Sequence, residues 1–319
     1  MPLPTAKRRR RALRARLLDA LTGAARVAPR VVVEGALCAC APLARWTRFE
    51  RMTRANLARA LPELDPAERL RIAGAVRRHA ARQFASWLRL ASSDAPRGAW
   101  IDELVEADAS LELLGAALAR GRGAIVATAH LGDWELCATR LVRLGFRGAV
   151  VGLRRPNDPS ALWIEAARAR HGLRTIPQSA PPRELLHVLA RGECLGILAD
   201  LDARRLDGIE LPFLGLPART LTAPAALARA SGAPIVPVRC VRERSGRYRL
   251  AAEAPIELDP TLPRELARRD ALARLNAVYA RWIRAAPEQW AWHQDRWRRP
   301  GGTATPAALQ SPDQGFAAD

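Results

Sequence analysis

The chain has 319 residues, 49% of them apolar, which is enough to bury a sizeable core and lies at the upper end for one domain. Its formal net charge is +19, and the first sixty residues carry 14 basic and 3 acidic side chains, so a polyanionic partner is expected near the N-terminus. Nucleic acid is excluded as that partner, because there is no zinc-finger spacing and no ribonucleoprotein aromatic motif, and the chain holds two tyrosines and five phenylalanines.

Residues 7 to 21 open with five consecutive basic groups and continue with Leu13, Leu17, Leu18 and Leu21. That pattern predicts a basic amphipathic helix lying in an anionic membrane surface. A solvated basic face is the structural alternative, since every basic residue except Lys7 is arginine and part of the excess is compositional. Val27 to Trp46 is apolar but interrupted by Pro29, Arg30, Glu34 and Pro42, whereas a span needs about 20 mostly apolar residues. Residues 1–46 are therefore expected to be a monotopic or interfacial anchor. Glu34, with Arg26 and Arg30 ahead of it, also argues against a cleaved signal peptide ending at Ala39-Cys40-Ala41. Five cysteines, an odd and widely spaced set at 38, 40, 137, 194 and 240, fit a reducing compartment and core or helix-facing thiols.

Helices are expected to continue to about residue 92, including Pro66 to Leu90, and to stop at the turn Asp94-Ala95-Pro96-Arg97-Gly98. The run Gly123 to Ala129 is small, apolar and partly β-branched, which predicts a buried strand. From Trp134, the residues Leu136, Ala138, Leu141, Val142 and Leu144 have helical spacing. Further strands are predicted at Gly148 to Leu153, Leu173 to Ile176, Cys194 to Asp200, Pro234 to Val241 and Tyr248 to Ile256. Helices are predicted between them at Pro159 to His171, Arg183 to Leu189 and Thr222 to Ala230. This alternation argues for an α/β fold with a mostly parallel central sheet flanked by helices, over residues 47–300. Residues 301–319 have no apolar period and are expected to be a disordered tail.

The chemistry-bearing pattern lies where the strand at 123–129 meets the next helix: His130, then Glu135. On one continuous helix, residues five apart diverge by about 140°. With His130 before the helix and Glu135 in its first turn, the carboxylate can accept a hydrogen bond from one imidazole nitrogen. The other nitrogen is then free to take a proton from an attacking hydroxyl. Unpaired N–H groups at the helix N-terminus would lie close to a developing oxyanion. The structural alternative is that Asp133 caps the helix, Glu135 favours its dipole and His130 is a satisfied strand-end residue. In open α/β sheets, ligands bind beyond the carboxyl ends of the strands, and His130, Arg154, Arg155 and Asp200 all fall at such ends.

The stretch Gly123 to Leu136 resembles the His-x-x-x-x-Asp/Glu signature of the glycerolipid acyltransferase superfamily, in the His-x-Gly-x-Trp-Glu context of the late acyltransferases of lipid A biosynthesis. The family's later blocks are matched in the same order. They are Arg155-Pro156-Asn157-Asp158-Pro159, then Leu198 to Asp202, Pro212 to Thr220, and Pro287-Glu288-Gln289-Trp290-Ala291-Trp292. The chain departs from the pattern where Asp133 replaces the usual asparagine, where Arg154-Arg155 doubles a single arginine, and where Leu201 replaces a frequent glutamine.

The resemblance implies acyl transfer from a thioester carrier to a hydroxyl, with no covalent acyl-enzyme and no cofactor. It makes His130 the general base and Glu135 the group that fixes its tautomer, with Asp200 a second candidate for that partner. Arg155, with Arg154 and Arg219 beside it, is implied to bind a phosphate or pyrophosphate-like group, and surface salt bridges are the alternative for each arginine. No metal is implied either, because Cys38-x-Cys40 has no histidine nearby to complete a zinc site. The implied donor is an acyl carrier protein, with acyl-coenzyme A second, and the implied acceptor is a lipid A precursor at the cytoplasmic face of the inner membrane. A second reading is acylation of another glycolipid or an ornithine lipid, and a third is a catalytically silent membrane scaffold, against which the retention of His130 and Glu135 speaks. Trp290, Trp292 and Trp297 are open between an interfacial aromatic cluster and core packing. His79, His171, His187 and His293 have no comparable carboxylate context and are left outside the chemistry.

Overall fold

The basic N-terminal segment forms two helices, α1 (Thr5–Val27) and α2 (Arg30–Cys40), parted at Pro29, which lacks the N–H that a continuous helix would need. The computed structural model describes residues 5–94, 96–153, 158–203 and 206–297. Among the described residues, no helix is long and apolar enough to cross a membrane. A 3-10 turn over Ala41–Trp46 leads to α3 (Arg48–Ala60), and a long helix, α4 (Pro66–Ser92), follows. Asp65 caps α4 by accepting the Glu68 N–H at 2.9 Å, and Pro66 occupies the first turn, where its missing N–H costs nothing.

The elements that follow are α5 (Ala99–Leu104), β1 (Val105–Ala107), α6 (Glu112–Ala119), β2 (Ala124–Thr128), α7 (Trp134–Arg143), β3 (Gly148–Gly152), α8 (Pro159–Arg170), β4 (Arg174–Pro177) and α9 (Pro182–Ala190). After them come β5 (Cys194–Leu198), β6 (Gly208–Phe213), β7 (Leu216–Leu221), α10 (Ala223–Ser231), β8 (Ile235–Arg242), β9 (Tyr248–Ala252) and α11 (Arg264–Ala285). Seven strands make one sheet in the order β1-β9-β8-β2-β5-β3-β4. Every pair is parallel except β8–β9. The expected α/β class with a mostly parallel sheet is thus the one observed.

Alternation along the strands divides the core into two layers. Ile125, Ala127, Leu195 and Ile197 face Leu189 of α9, Leu227 of α10 and Tyr279 and Ile283 of α11. Ala124, Val126, Cys194 and Val236 face Leu114 of α6 and Leu136 and Leu141 of α7. Each expected strand forms, with bounds shifted by a residue or a few. The hairpin β6–β7 was not foreseen, because Pro212 and Pro217 stand directly opposite each other in it and read as breakers. A two-stranded hairpin is all edge, where proline is tolerated, and its turn uses positive φ at Leu214 and Gly215.

One register matters for the site. Thr128 of β2 is paired with Leu198 of β5, so the residues two beyond each, His130 and Asp200, leave the sheet level with one another.

Candidate active site

The turn between β2 and α7 is held from three sides. Gly132 has φ +63°, and a Cβ there would come 1.9 Å from the Cys240 carbonyl oxygen, so this position needs glycine. The Gly132 N–H donates to the Gln289 carbonyl at 3.0 Å, the Ala291 N–H to the His130 carbonyl at 3.0 Å, and the Asp133 N–H to the Cys240 carbonyl at 2.9 Å. From α4, three side chains spaced four apart on one face reach the same turn. The Gln83 amide donates to the Gly132 carbonyl at 2.7 Å, His79 Nε2 lies 3.1 Å from the same oxygen, and the Trp87 indole donates to Asp133 Oδ1 at 3.1 Å. Burial pushes the His79 imidazole down to about 4, so it is neutral and can donate through Nε2–H. His79, Gln83 and Trp87 were missed by sequence reasoning, although their i, i+4, i+8 spacing on a mostly apolar face was a usable signal.

His130 and Asp200 meet as the register dictates. Nδ1 of His130 lies 2.8 Å from Asp200 Oδ1, and the His130 backbone N–H donates to Oδ2 at 2.8 Å. The Trp290 indole N–H donates to the same Oδ2 at 2.7 Å. Asp200 is fully buried. Burial alone would raise its pKa, but attraction to His130 and hydrogen bonds from the His130 ring, the Trp290 indole and the His130 backbone together hold it below the ordinary carboxylate value. The ionised carboxylate therefore accepts the Nδ1 proton, which leaves Nε2 with its lone pair. Among the described residues nothing hydrogen-bonds that nitrogen, and the imidazole is 25% exposed, enough to meet a substrate. The ring sits edge-on to Trp134, with centroids 4.9 Å apart.

The hydrogen bond expected between Glu135 and His130 is not formed. Glu135 is buried and makes a two-pronged pair with Arg168 of α8, at 2.6 and 2.8 Å. The first turn of α7 aims Glu135 along the sheet face toward α8, while the parallel neighbour β5 brings Asp200 up beside the histidine. The expected free amides at the α7 N-terminus are also largely taken. Asp133 Oδ1 accepts the Glu135 N–H at 3.2 Å and the Leu136 N–H at 3.1 Å. Asp133 is fully buried, its Oδ2 finds no partner among the described residues, and burial pushes its pKa up to about 7 against these hydrogen bonds.

Arg154 and Arg155 lie outside the described residues. Asp158 at the start of α8 is 3.7 Å from Arg14 of α1, and Trp163 of α8 donates to Thr22 of α1 at 3.0 Å, so α1 packs against α8. Arg219 donates to the Leu206 carbonyl at 3.1 Å, and its Nε is buried without a partner among the described residues. Trp290, Trp292 and Trp297 are all buried in the core, with Trp290 edge-on to the other two and Trp292 stacked on Trp297. The five cysteines are free, and burial raises the Cys137 thiol to about 12, which makes it a poor nucleophile.

Trp134, whose ring touches His130, also lines an apolar cavity between α7 and the face of β2, β3 and β5. Trp134, Glu135, Arg168, Thr128 and Leu198 line the end near His130. Leu141, Phe146, Gly148, Leu173 and Cys194 line the other. An imidazole with an open nitrogen, one aromatic ring away from a hydrocarbon-lined cavity, suits proton abstraction next to a long apolar substrate.

Comparison with known proteins identifies the family. The chain belongs to the bacterial lipid A biosynthesis acyltransferase family, whose family model matches residues 6–299. Among characterised relatives, it is similar to the phosphatidylinositol mannoside acyltransferase of Mycobacterium tuberculosis, with 34% identity over 43% of this chain and 44% of that protein. The chain thus aligns with less than half the length of that relative. It is also similar to the phosphatidylinositol mannoside acyltransferase of Mycolicibacterium smegmatis, with 30% identity over 69% of this chain and 72% of the other. The lipid A biosynthesis lauroyltransferase of Escherichia coli is 27% identical over 58% of this chain and 59% of its own length.

Proposed function

We propose that this protein transfers a fatty acyl chain from a thioester carrier to a hydroxyl of a lipid A precursor, with His130 as general base. The observation that carries the reading is the His130–Asp200 pair, whose imidazole ring touches Trp134 at the wall of the apolar cavity. Nε2 takes the proton of the acceptor hydroxyl as its oxygen attacks the thioester carbonyl. The tetrahedral intermediate then expels the carrier thiolate, which recovers the proton from the imidazolium and leaves as thiol. Asp200 fixes the Nδ1–H tautomer and stabilises the imidazolium, the part played by the acidic member of a hydrolase triad. The acyl chain lies in the cavity, whose lining includes the Glu135–Arg168 pair.

The donor is an acyl carrier protein, whose acidic surface complements the net charge of +19, with acyl-coenzyme A as the alternative. The protein works as a monotopic or peripheral enzyme at the cytoplasmic face of the inner membrane. Supporting this, Leu13, Leu17 and Val27 of α1, Val31 and Val32 of α2, and Leu43 and Trp46 of the turn after α2 are exposed in the basic N-terminal segment. The names of the mycobacterial relatives favour a second reading in which the acceptor is a mannosylated phosphoinositide or another glycolipid.

The test is acyl transfer by detergent-solubilised protein from a labelled acyl carrier protein thioester, with a tetra-acylated lipid A precursor and a phosphoinositide mannoside offered in parallel. His130→Ala should lower transfer by about a hundredfold to ten-thousandfold at unchanged folding. Transfer to the mannoside alone would move the acceptor to the second reading, and full activity in His130→Ala would remove the base.

A further inference from the structure

The C-terminal segment does more than close the domain. Trp290 follows the short turn Pro287–Gln289, is 1% exposed, and directs its indole N–H at Asp200 Oδ2. Its two neighbours are tied to the histidine turn by backbone hydrogen bonds, Gln289 through its carbonyl to Gly132 and Ala291 through its N–H to His130. The ring is wedged edge-on against Trp292 at 4.7 Å and lies 5.8 Å from Phe213, centroid to centroid. Trp292 is equally buried and belongs to the same cluster, but its indole donates to the Pro287 carbonyl at 2.6 Å instead of to the site. The two tryptophans therefore separate packing from orientation.

We propose that Trp290 is a positioning residue: its indole N–H holds the Asp200 carboxylate in plane and draws charge from it, which sets how tightly Asp200 grips the Nδ1 proton of His130. The inference rests on the reading of His130 as the base. Asp200 has three donors, two from His130 and one from Trp290. Without the indole N–H, more negative charge stays on the carboxylate, the imidazolium is held more strongly, and Nε2 is freed of its proton only at higher pH. Oδ2 would also keep a single donor, so the carboxylate could turn away and the rate would fall at every pH.

The other ionisable groups around this centre do not change with the substitution. Tyr279 of α11 is kept protonated by burial, and Arg296, pushed down to about 10 by burial against the attraction of Asp200 and Asp202, remains a cation. Burial keeps His293, close enough to His130 to feel its charge, neutral, and Glu135 is occupied by Arg168.

The test compares the pH dependence of kcat/KM for acyl transfer in wild type, Trp290→Phe, Trp292→Phe and His130→Ala. Site-specific incorporation of 3-benzothienylalanine at position 290 serves as a variant that exchanges only the N–H for sulfur. Both position-290 variants are expected to lose about tenfold or more in kcat, with the acid limb moved up by about half a pH unit. Trp292→Phe should lower the Tm and leave the acid limb in place. A wild-type rate and acid limb in the benzothienyl protein, whether or not Trp290→Phe folds, would overturn the role of the indole N–H. Full activity in His130→Ala would instead show that the underlying assignment of the base is wrong.

Discussion

Replacing Asp200 by asparagine puts the proposed pair to a sharp test, because the hydrogen-bond inventory decides how the new side chain must sit. Oδ2 of Asp200 accepts two N–H donors, from the His130 backbone and the Trp290 indole, and Oδ1 accepts one, from His130 Nδ1. Asparagine offers one oxygen and one NH₂ group. If its oxygen faces Nδ1, the NH₂ confronts two buried donors. If its oxygen faces the two donors, the NH₂ points at Nδ1. The second arrangement leaves fewer unsatisfied groups, at about 1–3 kcal/mol each, so it prevails. Nδ1 must then accept, the ring proton moves to Nε2, and the nitrogen facing the substrate becomes a donor that cannot act as base. The expected loss in kcat is about a thousandfold to ten-thousandfold, comparable with wrong-tautomer substitutions in hydrolase triads. The Tm should change little, since both buried donors keep their acceptor. The assay is single-turnover acyl transfer, with thermal unfolding as the check on folding. Activity within a few fold of wild type at an unchanged Tm would refute the argument, because it would mean that the imidazole does not depend on the Asp200 charge for its tautomer.

Four further outcomes follow from the geometry. Asp133, pushed up to about 7 by burial, favours the protonated form in the fold, so its ionisation destabilises progressively from about pH 4 to pH 7 by up to about 4 kcal/mol. Asp133→Asn keeps the Oδ1 acceptor, and urea titrations should find it more stable than wild type at pH 8, with the gap closing toward pH 4. Glu135→Ala or Arg168→Ala leaves an uncompensated buried charge and should cost about 3–5 kcal/mol, most of which returns when Glu135→Met and Arg168→Leu are combined. Equal denaturation midpoints for the single and double variants would contradict this.

The cavity spans Leu198 to Cys194, about 13 Å at ~3.3 Å per residue. Ala138→Phe, on the α7 wall, should shift the preference in competition assays to shorter donors by about tenfold or more. Changing Arg8, Arg9, Arg10 and Arg11 to glutamine should weaken binding to anionic vesicles by about 1 kcal/mol per residue, with little effect on neutral ones, as read by co-sedimentation.

Local pattern carried much of this structure. The β-branched run before His130, the helical spacing after Trp134 and the strand–helix alternation beyond residue 148 are short-range signals, and the elements form where those signals lie. The need for glycine at 132 was not legible in the same way, because it comes from the Cys240 carbonyl far along the chain. The hairpin β6–β7 was hidden by its own prolines, and the stripe His79, Gln83, Trp87 by the apolar residues around it.

The partner of His130 could not come from local pattern at all. Five residues separate His130 from Glu135, and seventy separate it from Asp200, yet the distant carboxylate is the one that reaches the imidazole. The amino-acid sequence by itself determined the elements and put a histidine at the end of a buried strand. Only the tertiary structure decided which carboxylate meets it, because that choice depends on β5 pairing in parallel register beside β2. Strand order and register are set by how all the helices and the sheet pack together, and no short stretch of chain contains that information.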